Sequence, residues 1–571
     1  LTAFKRTHQL LSYSIVAENH SFVSDVGFFA SFSVKCLIKL SLINVLVSPV
    51  VCDTINILTL RSMILNFKHE PLNLYLNFKK SAEQFPDSPI IFDEAVGAFP
   101  ELALETTYQK THQAIVDKAS LLSELGIKKK DKVIIFKSSA FDTYLLAVAV
   151  SYLGAVPAMI SYHLPAETMD ILAGRLDEPW LLYDQVTDRT VNEMKNIEDS
   201  KKLSVSKFAL EKPTQIADSQ QLASDEIAYL THTSGTTGVP KLIAHSANSM
   251  GWRWVLQRTV MDWMPDKEEI LAFHISPVHS RFNIGVSSAM TFGFGLMPLN
   301  DLSKDNLVNL FAKHQPYAFE THPNDFVRLA NLAKQEPEIF ASIRYLHSTF
   351  DAINKETMHT FLSASKQKDP VFLQIYGQSE CGPMIWKKHR LSTLADTNAR
   401  EMGIGMPGLS KARIADENGN ECPAGTPGRI HFLSKGRALT YYKEEERFNK
   451  EVYSDWWDTG DWGLMNEDGI LFLHDRQVDL IDKIESNLAI EDLLLDQHDF
   501  LDEVVIIRDK SGKPQPILAL AENAEMDWSA WWASIVDLPF LNEPILMAYD
   551  EIPRTATMKV QRLALEKELA K

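Results

Sequence analysis

From Thr107 to Ile160 the chain alternates between two periodicities. TYQKTHQAIVDKASLLSELG, Thr107 to Gly126, spaces its apolar residues as an amphipathic helix does and ends on glycine. KVIIF, Lys132 to Phe136, is a short unbroken apolar run bounded by polar residues, the mark of a buried strand. FDTYLLAVAVSYLG reads as a second helix closed by Gly154, and AVPAMI as a second strand. Strand, helix, strand in that order predicts a parallel sheet covered by helices, because parallel strands need a crossover between them. The rhythm returns from Ala318 to Gln374. From Gly403 to His474 it gives way to short strands separated by Asn-Gly, Pro-Gly and Asp-Gly turns, which predicts a small antiparallel β unit. The last hundred or so residues, with EVVIIRD and PILALAE between helical stretches, predict a small α+β domain. In EMDWSAWWASI the tryptophans 528, 531 and 532 fall at helical spacing, which reads as a packing stripe.

The expected class is therefore α/β. A large N-terminal domain of layered, parallel-rich sheets and helices, with the small β unit, spans residues 63–475, and the small domain spans 476–571. A chain of 571 residues is too long for one ordinary core. With 45% apolar and 23% charged residues it has the balance of a folded protein. A net charge of −18 argues against a nucleic-acid partner. The cysteines at 36, 52, 381 and 422 form no CxxC pair, and no HExxH is present, so a reduced, cytoplasmic protein without structural zinc is expected. Any metal would be a hard ion on oxygen ligands. Residues 1–62 differ in texture. The apolar segment Cys36–Cys52 carries Lys39 and is short for a bilayer span. An upstream stretch preceding a start at Met63 is the main reading, beside a membrane anchor or an ordered extension; no stable membrane association is expected.

One string stands apart: THTSGTTGVPK, Thr231 to Lys241, preceded by the apolar DEIAYL. A strand running into small hydroxyl residues and glycines frees backbone N–H groups to face an anion. Gly235 and Gly238 permit close approach, Thr233, Ser234, Thr236 and Thr237 add donors, and Lys241 adds charge. The spacing is not that of a Walker A loop. Taken alone, the string also suits a flexible linker.

This string resembles the signature loop of the adenylate-forming superfamily, which includes acyl- and aryl-CoA synthetases, luciferases and peptide-synthetase adenylation domains. The resemblance continues in order over roughly 500 residues. QIYGQSECGP (374–383) is similar to the Tyr-Gly-x-Thr-Glu motif, with Ser379 in the threonine place. GIGMPG (403–408), WWDTGDWG (456–463), DRQVDLIDK (475–483) and PRTATMK (553–559) follow. The resemblance implies a carboxylate attacking the α-phosphorus of ATP, then a thiol displacing AMP. It also implies a small domain that rotates about a hinge near Arg476 between these steps.

By the same resemblance, the loop Thr233, Ser234, Gly235, Thr236, Thr237, Gly238 and Lys241 would hold the outer phosphates, and Glu380 would hold Mg²⁺. Tyr376 would stack on adenine within Tyr376-Gly377-Gln378. Ser379 would donate to the α-phosphate, Asp461 would accept the ribose hydroxyls, and Arg476 would reach the ribose. Lys559 would close over the reacting carboxylate. The implied cofactors are ATP, Mg²⁺ and coenzyme A. The implied partners are a small carboxylic acid and, as an alternative acceptor to coenzyme A, an acyl or aryl carrier protein or an amine. A nucleotide-binding partner or sensor without turnover is a further alternative.

The chain departs from the pattern at Asp475 and Glu485, which stand in glycine places, and at Met558 before the lysine. A glutamate at 485 would crowd a pantetheine arm. HSTFDAI, 347–353, replaces a small-residue turn. FHISPVHSRFNIGV, 273–286, should line the acid pocket. It lacks the aspartate that amino-acid-activating relatives use, and His279 matches the gate of acyl- and aryl-activating members. Arg281 would pair with a second carboxylate or phenolic oxygen, or lie on the surface. A non-amino aryl or acyl acid is expected.

Overall fold

The computed structural model describes residues 68–571 except 234–238, 262–268, 350–352, 399, 407, 555–558 and 571. The proposed extension 1–62 lies outside the described residues.

Among the described residues the strands form a 14-stranded, a seven-stranded and a three-stranded sheet. Lys132–Phe136, Val156–Met159 and Trp180–Tyr183 pair in parallel in the seven-stranded sheet, as the alternation predicts. Ala318–Thr321, Tyr345–Thr349 and Val371–Gln378 do the same in the large sheet. Successive side chains of a strand point to opposite faces. Ile134 and Phe136 accordingly join one core, with Leu172 and Val191, while Val133 and Ile135 join another. That second core also holds Leu271 and Leu296 of the large sheet, so it lies between the two sheets. The helix Asp142–Tyr152 is buried along its whole length there, which explains why its sequence is apolar all round. A third core, built on Phe319, Phe326, Phe361 and Phe372, packs helices onto the other face of the large sheet.

The antiparallel β unit is present, and it is not detached. Its strands Glu401–Gly405, Ser410–Ala415, Gly428–Ser434, Trp456–Met465 and Leu471–Arg476 extend the large sheet through the hairpin Val371–Gln378/Gly382–His389. The C-terminal part has its own sheet and cores, with Leu501–Arg508 and Pro514–Leu520 as the predicted strands. The tryptophan stripe is only partly a packing feature. Trp531 is fully buried, but Trp528 and Trp532 are 42% and 43% exposed and stack on each other.

The C-terminal part meets the rest through polar contacts. Arg400 donates to the Leu488 carbonyl at 2.7 Å and pairs with Asp492 at 2.7 Å. The Glu356 N–H donates to Asp496 at 3.1 Å. Asp475 is the penultimate residue of the strand Leu471–Arg476 and is 1% exposed. Its Oδ2 accepts the Asn487 N–H at 2.8 Å. Burial, with Glu491 nearby, pushes its carboxyl up to about 7, against the pull of Arg562 and Arg400.

This has a consequence for stability. Below about pH 4 both folded and unfolded chains carry the protonated acid. Between about pH 4 and 7 only the unfolded chain ionises, so this group's contribution falls as pH rises and is constant above that window. Asp475→Asn is therefore expected to leave the melting temperature unchanged near pH 4 and raise it by several degrees at pH 8. A difference that is flat across pH, read by thermal denaturation of both proteins, would refute the assignment.

Candidate active site

The hairpin at Val371–Gln378 and Gly382–His389 sets the site. Its register slips between Tyr376 and Gly377. A Cβ at Gly377 would meet the Gly382 carbonyl oxygen at 2.2 Å, so only glycine fits. The turn between the strands carries Ser379 and Glu380, and Arg253 holds it from below. This arginine, fully buried in the helix Ala247–Met261, donates to the Ser379 carbonyl at 2.9 Å, the Glu380 carbonyl at 2.7 Å, the Gly436 carbonyl at 2.6 Å and Ser280 Oγ at 3.2 Å. One guanidinium thereby ties three separate segments to its own helix.

The Glu380 carboxylate is nearly buried and accepts the Tyr441 hydroxyl at 2.7 Å. Lys241 Nζ donates to the same hydroxyl at 3.1 Å and lies 4.4 Å from the ring centre. Burial lowers the Lys241 ammonium from its ordinary value, although Glu380 opposes this. Burial and Glu380 both hold the Tyr441 phenol well above its own, so it stays a donor. The two ends of the Gly/Ser/Thr loop clasp each other: Thr233 N–H donates to the Lys241 carbonyl at 3.0 Å, and Lys241 N–H donates to Thr233 Oγ1 at 3.1 Å. Ser234, Gly235, Thr236, Thr237 and Gly238 lie outside the described residues.

Tyr376 donates to Asp461 Oδ2 at 2.6 Å. Gln378 Nε2 donates to the Thr459 carbonyl at 2.5 Å, and its Oε1 accepts the Trp457 indole N–H at 3.1 Å. Asp461 and Arg476 are cross-strand partners. Tyr376, Asp461, Arg476 and Lys559 line one polar cavity of about 510 Å³. His279 caps the helix Ser280–Thr291 and lines a second cavity with Ser280, Arg281, Gly377 and Ser379. Arg281 also lines a third, apolar cleft of about 840 Å³ walled by Phe273, Phe282, Val286 and Leu296. It is 8% exposed, which corrects the surface alternative for this residue.

These features decide a family. Residues 78–442 match the model of the AMP-binding enzyme. The chain belongs to the AMP-binding enzyme family. It is 30% identical over 518 residues to the 3-amino-2-hydroxy-4-methoxybenzoate diazotase of Streptomyces cremeus, covering 85% of this chain and 93% of that one. Its fold is similar to that of a benzoate CoA ligase from Burkholderia xenovorans LB400 (TM-score 0.72, 16% identity, 87% of this chain and 100% of that one). It is also similar to the O-succinylbenzoate coenzyme A synthetase of Bacillus subtilis in complex with ATP and magnesium ion (TM-score 0.70, 17% identity, 86% and 99%).

Among the described residues of this AMP-binding enzyme, no group of three His, Cys, Asp or Glu could hold a metal. Glu380 is a single hard oxygen donor beside Lys241, which fits an ion that takes its remaining ligands from phosphate and water. No helix among the described residues is long and apolar enough to cross a membrane.

Sequence patterns missed Arg253, Tyr441 and Glu320, and gave no role to Trp457 and His347 although both lie in quoted motifs. The one available signal was an arginine inside the aromatic run GWRWVL. The others reach the site only through strand pairing. The segment 273–286 lacks an aspartate, and Glu320 supplies a carboxylate to the apolar cleft from the strand Ala318–Thr321.

Tyr441→Phe removes the hydroxyl that both orients Glu380 and accepts from Lys241. It is expected to weaken MgATP binding about tenfold, with a loss of no more than about 1 kcal/mol in stability. Titration calorimetry beside denaturant melts separates this outcome from general unfolding.

Proposed function

We propose that this chain is an ATP-dependent carboxylic acid ligase that joins an aryl or acyl acid to AMP, releases pyrophosphate, and transfers the acyl group to a thiol, coenzyme A in the leading reading. The observation that carries the proposal is the convergence of Lys559, Asp461, Arg476 and Tyr376 on one cavity. Arg281 lines both the apolar cleft and the pocket containing Ser379.

A carboxylate and a triphosphate repel, so the attack needs positive charge and ordered donors placed beforehand. Thr233, Lys241 and the loop 234–238 bind the outer phosphates. Glu380 holds Mg²⁺, which supplies charge neutralisation to the phosphates when bound. Tyr376 stacks on adenine, flanked by Gly377 and Gln378. Asp461, an acceptor for two hydroxyls, takes the ribose, and Arg476 supports it. Ser379 donates to the α-phosphate oxygen, and His279 gates the acid. Lys559, a compact charge on a long stem, bridges the reacting carboxylate and α-phosphate. Residues 63–475 and 476–571 act as two domains, and rotation about Arg476 withdraws Lys559 for the second step.

The similarity to the diazotase favours a second reading. That protein's name specifies an aromatic acid bearing an amine. In this reading the reaction takes place at the ring amine of such an acid, with an inorganic nitrogen donor at the nitrite oxidation level supplying the second nitrogen, and no thioester forms. Transfer to a carrier protein or to an amine is the remaining acceptor alternative.

Purified protein with MgATP, coenzyme A and a panel of aryl acids is expected to give AMP and pyrophosphate. ADP and phosphate would refute the ligase. Lys559→Ala is expected to lower acid-dependent pyrophosphate release by about 100-fold or more while changing ATP affinity less than about threefold, because its contacts strengthen only in the transition state. Mass spectrometry of the organic product then separates a thioester from a product altered at nitrogen.

A further inference from the structure

The wall of the apolar cleft carries a polar cluster that adenylation itself does not require. Arg281 Nη2 donates to Glu320 Oε2 at 2.7 Å and lies 3.1 Å from His347 Nδ1, which is itself 3.2 Å from Glu320 Oε2. Burial penalises the Glu320 carboxylate, but Arg281 and His347 outweigh this and hold it at about 2, so it is ionised. Burial lowers the His347 imidazole from its ordinary value despite Glu320. Among the described residues, four buried atoms of the cluster have no hydrogen-bond partner: Arg281 Nε and Nη1, Glu320 Oε1 and His347 Nε2. All three residues line the cleft. Each orphaned buried group costs about 1–3 kcal/mol unless a ligand satisfies it.

We propose that Arg281, Glu320 and His347 form a subsite for a neutral protic substituent, an aryl amine or a phenolic hydroxyl, on the ring of an aromatic acid. This rests on reading the cleft as the acid pocket. The cluster offers N–H donors and one anionic acceptor side by side. A hydroxyl or aryl amine both donates to Glu320 and accepts from Arg281 or His347. A second carboxylate would face Glu320, and an aliphatic ammonium would face Arg281. An aryl amine is neutral near pH 7 and avoids both conflicts. Unsubstituted benzoate leaves every orphaned atom unpaired. The remaining walls, Phe273, Phe282, Val286, Ala289 and Leu296, suit the ring.

The test is equilibrium binding to the full chain without ATP, so that turnover plays no part. Benzoate, its 2- and 3-amino and 2- and 3-hydroxy derivatives, and benzene-1,3-dicarboxylate are titrated by calorimetry. At least one amino or hydroxy acid is expected to bind ten times or more tighter than benzoate, with the dicarboxylate weakest. Glu320→Gln, which keeps a partner for Arg281, is expected to shrink that preference below threefold. Equal binding of benzoate and its derivatives, tightest binding of the dicarboxylate, no binding by any acid, or a preference unchanged in Glu320→Gln would each overturn the proposal. The wild-type ranking decides even if the variant does not fold. Selective binding without pyrophosphate release would sink the ligase reading and leave the subsite standing; turnover indifferent to the substituent would do the reverse.

Discussion

The buried guanidinium of Arg253 is the contact on which the site's geometry depends. It is held by three carbonyls and a hydroxyl from different parts of the chain. A cation this deep survives only if its donors are met, and arginine's planar fork presents several at fixed angles. The neighbouring backbone has made room for it. A Cβ at Gly436 would lie 2.6 Å from Arg253 Cγ, and one at Gly382 would lie 2.7 Å from its Cδ. The turn bearing Ser379 and Glu380, the start of the helix bearing His279, and the loop leading to Tyr441 are thus fixed relative to one another by one side chain.

Two kinds of polar cluster surround that anchor. Around Glu380, Tyr441 and Lys241 the charges are opposite and bridged by a hydroxyl, which keeps both close without a direct ion pair. Around Glu320, Arg281 and His347 the cluster is paired on one side and has unpartnered buried atoms on the other. The first arrangement suits phosphate and its counter-ion, the second a ring substituent.

Asp475 illustrates how a substitution in a family pattern is accommodated. In a place where the family resemblance implies glycine, this chain buries a carboxyl against Asn487, and burial raises its affinity for a proton. Glu485, which also stands in a glycine place, is exposed. The two departures that looked alike in sequence therefore have opposite environments.

The sequence by itself determined the alternation of strands and helices, the antiparallel unit, and the contiguous motifs around Thr233–Lys241, Tyr376–Glu380 and Asp461, because these rest on local periodicity, turn chemistry and short-range spacing. It placed Tyr376 and Asp461 in separate motifs without revealing the 2.6 Å contact between them. The stripe at Trp528, Trp531 and Trp532 was misjudged for a related reason: helical spacing shows which residues share a face, not whether another element covers it. Only the tertiary structure decided that Arg253 reaches Gly436, that Tyr441 joins Lys241 to Glu380, and that Glu320 and His347 meet Arg281. Those partners lie on different strands and helices, and crossover connections, which carry no short-range signature, bring them together.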